Sequence, residues 1–400
     1  MKRKLVVALT SVVLMNALTS QAQVNNKSVQ RVISPAVPFL TISPDSRGAA
    51  MGDAGVASSP DANSMYWNTA KLAFIDKNIG STVSYTPWLR DLVDDMGLLH
   101  AAIFKKTGKD QALGLSMTYF NQGQIQFTTA TGQPNGTFQS REFNIAGGYT
   151  RKLGRDFSMG LNLKYIHSNL IGSQVVNNSS SKPANTVAGD ISFFYTNEKP
   201  SVKNKDRGVK YSAGAVISNI GGKVNYGRNT FYLPTNLKVG GGLNYKIDAH
   251  NQFNLLLDVN KLLVPTPPLR DNNGVIVKGR DPETTGVIAG IFGSFNDAPD
   301  GFKEEIREFT VSTGVEYWYN NFFAIRGGYF AESNAKGGRK YVTTGLGFRI
   351  MNSYQVDLAY LVPTSQGSPL SNTWRISLIF DLDAKKASTT SEDTETTEEQ

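Results

Sequence analysis

Chemistry needs side chains that titrate, attack or ligate, and this chain is poor in arrangements of them. It has no cysteine in 400 residues, which excludes structural disulfides and thiolate metal sites. Its three histidines, His100, His167 and His250, are far apart in sequence. No nucleophile elbow, His-Glu-x-x-His motif, Walker loop or dinucleotide fingerprint is present. His167 extends the apolar parity of its segment, which suits an interfacial position better than a general base. With no base and nucleophile pair to nominate, the expectation is a chain that is not an enzyme and has no cofactor or metal site.

Apolar residues placed among turn formers say more. One run is Pro87-Trp88-Leu89-Arg90-Asp91-Leu92-Val93, another is Lys261-Leu262-Leu263-Val264-Pro265-Thr266-Pro267-Pro268-Leu269-Arg270, and Phe231, Tyr232 and Leu233 form a third. Leucine, tryptophan and proline exposed together cost solubility unless they cover a pore mouth or meet a partner. Proline also reduces the entropy lost on binding. The candidate partner-binding residues are therefore Trp88, Leu89, Arg90, Leu92, Phe231, Tyr232, Leu263, Pro267, Pro268 and Leu269. Trp88, Leu89, Pro267 and Pro268 are the expected anchors. Inward capping and outward docking are both open.

These loops need a frame, and the frame reads as strands. Segments alternate with period two near 79–85, 98–105, 112–127, 140–153, 157–168, 186–195, 209–217, 236–247, 252–260, 308–319, 322–331, 340–350, 353–361 and 372–382. In the last, Trp374, Ile376, Leu378, Phe380 and Leu382 fall on one face, and Arg375, Ser377 and Asp381 on the other. Short turns such as Thr107-Gly108-Lys109-Asp110, Gly154-Arg155-Asp156 and Asn320-Asn321 share one parity, and mostly longer loops share the other. An even strand count with short turns at one end and long loops at the other is the pattern of an outer-membrane barrel. A lysine-rich link from Asn197 to Gly208 breaks it. The glycine runs Gly240-Gly241-Gly242 and Gly327-Gly328 could kink the wall or relieve crowding inside it.

Ahead of the strands lies Ser43 to Phe74, rich in Gly, Ala and Ser, with Gly48, Gly52 and Gly55 spaced by four and three. Small residues at that spacing let one backbone pass close against another, as a plug inside a shell must. An ordinary short helix with a small-residue face fits the composition equally well.

Met1-Lys2-Arg3-Lys4, the apolar run Leu5 to Leu18 and Ser20-Gln21-Ala22 before Gln23 read as a cleaved signal peptide. The formal net charge of +8 includes its three cations. Basic residues are not clustered with aromatics, so a nucleic-acid partner is not expected; anionic lipid head groups suit the charge better. Residues 384–400 carry Asp and Glu among Ser and Thr with no apolar face, and a disordered acidic tail is expected there.

The run Arg47-Gly48-Ala49-Ala50-Met51-Gly52-Asp53-Ala54-Gly55, with Asp61-Ala62-Asn63-Ser64 and Asn68-Thr69-Ala70-Lys71-Leu72-Ala73, resembles the N-terminal signature of FadL-type outer-membrane barrels. Trp67-Asn68-Thr69-Ala70-Lys71, where the fatty-acid transporters carry Asn-Pro-Ala, and Tyr85-Thr86-Pro87-Trp88-Leu89 make it most similar to the PorV branch, which serves type IX secretion in Bacteroidetes. The resemblance implies an all-β fold, a fourteen-stranded antiparallel transmembrane β-barrel with an N-terminal hatch segment inside the lumen. It implies a hatch in residues 23–78, with Arg47, Gly48, Met51, Gly52, Gly55, Trp67 and Asn68 as its marks, and a barrel over 79–383 in the outer membrane of a Gram-negative bacterium. It further implies partners: the translocon barrel (SprA or Sov), the C-terminal signal domains of secreted cargo, a PorU-containing attachment complex and outer-membrane lipid. The branch has a link to lipid A deacylation, which would need an activated water or serine at the membrane rim. Transport of hydrophobic small molecules is the rival function, and the missing proline weighs against it.

Overall fold

The computed structural model describes residues 31–382, apart from 91–92, 130, 171–174, 177–178, 181, 201–206, 228–229 and 352. The expected signal peptide (1–22) and acidic tail (384–400) lie outside the described residues, as does Leu92. Fourteen antiparallel strands close into one barrel in sequence order. They are β1 (Ile79–Pro87), β2 (Gly97–Lys106), β3 (Gln111–Thr128), β4 (Pro134–Lys152), β5 (Phe157–Asn169), β6 (Ala184–Pro200) and β7 (Gly208–Gly221). Then come β8 (Asn236–Lys246), β9 (Asn251–Leu262), β10 (Phe309–Tyr319), β11 (Phe323–Ala331), β12 (Lys340–Ile350), β13 (Tyr354–Pro363) and β14 (Trp374–Leu382). Closure is made by β1 on β14, with Ile79 opposite Leu382.

The alternation read from the sequence is the wall itself. On β5, Leu161, Leu163 and Tyr165 stand outward and exposed, while Ser158, Asn162 and Ser168 are buried. On β14, Trp374, Leu378 and Phe380 face out, and Arg375 and Ser377 face in. A continuous belt of exposed aliphatic and aromatic side chains around a closed wall requires lipid outside it. Ring pairs mark both rims: Tyr85 meets Trp374 at 6.2 Å toward the long loops, and Phe157 meets Phe193 at 6.1 Å toward the short turns.

Two strand ends differ from the sequence reading. β6 runs on to Pro200 and β7 begins at Gly208, so Glu198 pairs with Lys210 and the long link shrinks to 201–207. Polar residues there belong to backbone pairing that no side-chain alternation announces. β4 starts at Pro134, six residues before the expected 140, and pairs with β3 beyond the point where β5 joins it at Arg141. The ribbon therefore stands clear of the wall.

Residues 31–78 lie inside and across the barrel. Only short pieces of helix form: a turn at Pro38–Thr41, α1 (Ser46–Ala50), α2 (Ser64–Trp67) and a turn at Thr69–Phe74. Asp45 caps α1 by accepting from the Gly48 amide at 2.8 Å. The helix stops because Gly52 takes φ +71°, and its backbone lies directly against that of Thr313 and Tyr329. The wall answers with glycines of its own. Gly314 and Gly328 leave room for Met51 and Gly52, and Gly240 and Gly242 leave room for Val56 and Ala57, whereas Gly241 and Gly327 face outward. Neither β8 nor β11 shows a register shift at these runs. The glycines serve close approach, not a kink.

Charge completes the seating. Arg47 donates to Glu316 through Nε and Nη2 (3.0 and 2.9 Å), and Arg326 Nε donates to the same carboxylate at 2.7 Å. Arg326 reaches on to Asp357 (2.7 Å), and Arg47 to Asp61 (3.2 Å). Farther along, Asp258 accepts from the Gly55 and Val56 amides (2.7 and 2.9 Å), and Lys71 donates to the Gly55 carbonyl (2.7 Å) and Ser58 (2.8 Å). Glu316 and Arg326 are both fully buried, and breaking such a pair from one side costs about 3–5 kcal/mol. Glu316→Ala is therefore expected to lower the unfolding free energy of the detergent-solubilised barrel by that much, read as a fall in the urea midpoint at unchanged slope, and to expose the hatch to protease; an unchanged midpoint would remove the network from the account of stability.

Candidate functional site

The long-loop end is where candidate binding residues gather, and it is built in three layers. The lowest is a cap. Trp88 and Leu89 turn inward and pack against Phe330, Tyr341, Leu361 and Leu370. Leu89 adopts φ +49°, and the Arg375 guanidinium lies 6.0 Å from the Trp88 ring. Phe39 stacks on Phe120 at 6.2 Å and fills the other side with Val37, Leu40 and Leu233. Arg90 is exposed. Tyr232 is buried, with its hydroxyl donating to the Thr285 carbonyl at 2.6 Å and Lys223 Nζ 4.7 Å above its ring. Phe231 beside it stays exposed. Leu263 is buried, Pro267 and Pro268 are half-buried, and Leu269 and Arg270 at the end of that run are exposed. The candidate loops thus contribute mainly to closing the mouth.

Above the cap is a cluster of buried charge. The 263–308 loop carries a small ribbon (Leu269–Arg270 with Ile276–Lys278) and two helices, α3 (Val287–Gly293) and α4 (Phe302–Ile306). Glu304 on α4 accepts from Arg31 (2.9 and 2.8 Å) and from Lys336 (2.8 Å). Glu305 accepts from the Asp297 and Ala298 amides at 2.7 Å each and from Lys261 at 3.2 Å. Glu308 takes Lys336 at 2.8 Å, together with Lys261 and the Thr266 hydroxyl. These three carboxylates therefore tie the N-terminal segment, β9, the long loop and the β11–β12 loop together.

The top layer is apolar and unpaired. On α3, Ile288 and Phe292 are one turn apart and 64% and 75% exposed; on α4, Phe302 and Ile306 are one turn apart and 78% and 54% exposed. The buried acids of α4 fix which way Phe302 and Ile306 point. The sequence reading missed these four, although apolar residues four apart in a loop were a legible signal.

Nothing at this end is arranged for catalysis by histidine. His100 is buried with Nδ1 2.9 Å from the Thr118 hydroxyl, the His167 ring lies tilted against Phe143 at 5.1 Å, and His250 sits on a short turn beside Asn320. Among the described residues no group of three or more metal-ligating side chains comes together.

Two carboxyls in the loop titrate in opposite senses. Burial pushes Asp297 up to about 6, against the hydrogen bond from the Thr266 amide. Burial alone would also raise Glu304, but Arg31 and Lys336 hold it down to about 2. Stability from Asp297 is complete below its ordinary 3.8 and lost as pH rises through about 6. Stability from Glu304 is complete above 4.5 and lost as pH falls toward about 2. Protection of the Asp300 amide, which donates to Glu304, should therefore peak between 3.8 and 4.5 in hydrogen exchange corrected for intrinsic rates. Asp297→Asn should flatten the rise between pH 6 and that peak; an unchanged profile would exclude Asp297 as its source.

Comparison with known proteins places this geometry in a family. The sequence profile of the type IX secretion system protein PorV matches residues 25–269, more than half of the chain. No protein of curated function matches the sequence. Among solved structures, the toluene transporter TbuX of Ralstonia pickettii is 10% identical, with 84% of this chain and 98% of that one covered and a TM-score of 0.46. The CymD monoaromatic hydrocarbon channel is 12% identical over 86% and 99%, with a TM-score of 0.47. A Pseudomonas aeruginosa FadL homologue is 13% identical over 85% and 98%, with a TM-score of 0.45. Likeness at this level says nothing about what passes or binds. The profile match covers more than half of the chain and shows the family: the chain belongs to the PorV family, outer-membrane components of type IX secretion, and in bacterial outer-membrane barrels short turns face the periplasm and long loops the outside.

Proposed function

We propose that this barrel receives secreted proteins at the cell surface. It binds their C-terminal signal domains as they emerge from the translocon barrel and carries them to the attachment complex. The observation that carries the reading is the exposed pair of helical faces, Ile288 with Phe292 and Phe302 with Ile306, on a loop braced by buried charge. Bulky apolar side chains held in fixed positions are what a small patch needs to supply most of an interface's free energy. Pro267, Pro268 and Leu269 belong to the same loop, and Trp88 and Leu89 support the mouth from beneath. Transport of hydrophobic molecules is less well supported, because the hatch meets the wall backbone to backbone and β8 and β11 keep their register.

The test is a detergent pull-down from native membranes with the full chain as bait, comparing wild type with an Ile288→Ser, Phe292→Ser, Phe302→Ser, Ile306→Ser variant. Wild type should recover the translocon barrel or secreted proteins sharing a C-terminal domain, and the variant at least about tenfold less at equal barrel yield. Equal recovery would move the contact elsewhere. Recovery of the barrel with bound lipid alone would favour transport.

A further inference from the structure

The ribbon that β3 and β4 raise at the long-loop end has a fixed base and an open edge. β2 leaves β3 at Gly97 opposite Asn121, and β5 leaves β4 at Asn169 opposite Arg141, while β3 and β4 stay paired as far as Thr128 opposite Pro134. Buried hydrogen bonds hold the base: Gln122 and Ser168 donate to Glu142, Ser140 donates to Gln122 at 2.9 Å, and Tyr226 donates to Ser168 at 2.9 Å. Just above, the register shifts between Asn121 and Gln124, and Gly123 takes φ +83° where Val93 and Asp95 crowd its backbone. Such a bulge re-aims a strand. Beyond it Ile125 lies opposite Phe138 on one face, with Phe127 following by alternation, while Gln124 opposite Gln139 and Gln126 opposite Thr137 form the other face. No charged residue stands between Asn121 and Arg141. The β4 edge is interrupted by Pro134 and by Gly136 at φ +88°, whereas β3 from Gln124 to Thr128 contains neither proline nor glycine. Among the described residues no strand pairs with that β3 edge. Proteins ordinarily blunt such an edge with charge, proline or a cover. Two strands alone make a marginal sheet in water, and a third completes it.

We propose that the β3 edge from Gln124 to Thr128 accepts an extended strand of another polypeptide by main-chain pairing. The complement of a row of unpaired main-chain donors and acceptors is another such row. The two faces of the ribbon fix the chemistry of that strand: apolar residues beside Ile125 and Phe127 alternate with uncharged polar ones beside Gln124, Gln126 and Thr128. A second copy in the same membrane does not meet this requirement. Two such copies are related by an axis along the membrane normal, so their β3 edges would run parallel with like groups facing like, and a ladder needs donor opposite acceptor. The edge is separate from the apolar faces of the 263–308 loop, and the inference does not depend on what those faces bind.

The probe is the synthetic peptide acetyl-Lys-Thr-Val-Thr-Ile-Thr-Val-Thr-Lys-amide, with a counterpart in which the isoleucine and one valine are replaced by proline, which cannot donate to a ladder. Each is added at millimolar concentration to the full chain in a non-ionic maltoside, and amide exchange is followed by mass spectrometry. The first peptide should slow exchange in residues 122–129 at least about tenfold and leave β8 to β12 unchanged, and the proline peptide should slow neither. Gln124→Pro with Gln126→Pro should abolish the slowing. The comparison of the two peptides uses the unaltered protein, so a variant that fails to fold leaves the test intact. Three results would overturn the proposal: no slowing in 122–129, equal slowing by both peptides, or slowing that follows protein concentration without peptide, which would give the edge to a second copy.

Discussion

Glu316 is shared between an arginine of the hatch and an arginine of the wall, and much of the structure depends on that sharing. Its two oxygens are taken by Arg47 and Arg326, and Arg326 continues to Asp357 on β13. Charges withdrawn from water are stable only where each is matched, because the desolvation of any one of them is expensive. The match requires three distant pieces of chain at once: residue 47 inside the lumen, β10 with β11, and β13. Seating the hatch and closing the wall are therefore parts of one event. A hatch held in this way is a component of the fold, and its removal would take from Glu316 the two hydrogen bonds of Arg47 and leave the buried Glu316, Arg326 and Asp357 with one cation for two carboxylates.

Contact between hatch and wall has a second ingredient that acts without charge. Where Gly52 meets the backbone of β10 and β11, and where Gly240 and Gly242 face Val56 and Ala57, no side chain separates the two layers. The short-turn half of the lumen is filled by Met65, Leu72 and Ile75 against Ala102, Phe104 and Ala112. Open volume remains on both sides of this filling, about 380 Å³ around Lys238 toward the long loops and about 230 Å³ between Ser58, Asp76, Lys210 and Lys246 toward the short turns.

The sequence carried the wall clearly, because period-two alternation is imposed on every strand that separates lipid from a polar interior; β5 and β14 match it residue by residue. It carried the hatch through the small residues from Gly48 to Gly55, whose spacing has a mechanical reason in backbone contact. It failed where pairing is set by backbone alone, as at Glu198 opposite Lys210, and where burial is decided at long range. Trp88 faces inward because Phe330, Tyr341 and Leu370 come to the same corner of the mouth, more than 240 positions away. No local pattern around Trp88 could have said so.

The external loop of this plugged barrel presents an apolar surface that is braced in advance. On α4, Glu304 and Glu305 turn inward to Arg31, Lys336 and Lys261, and Phe302 and Ile306 turn out. One short helix therefore holds the loop in place and presents its apolar face. Ordering a loop on contact would subtract from binding the entropy of every residue fixed. Here the ordering is done in advance by ion pairs anchored in the N-terminal segment and in β9, which are in turn anchored in the barrel. The apolar residues can then be few, because little of their contact free energy is spent on arranging them. The chain of dependence runs from the buried carboxylates of the mouth, through the rigidity of the loop, to the strength available at its surface.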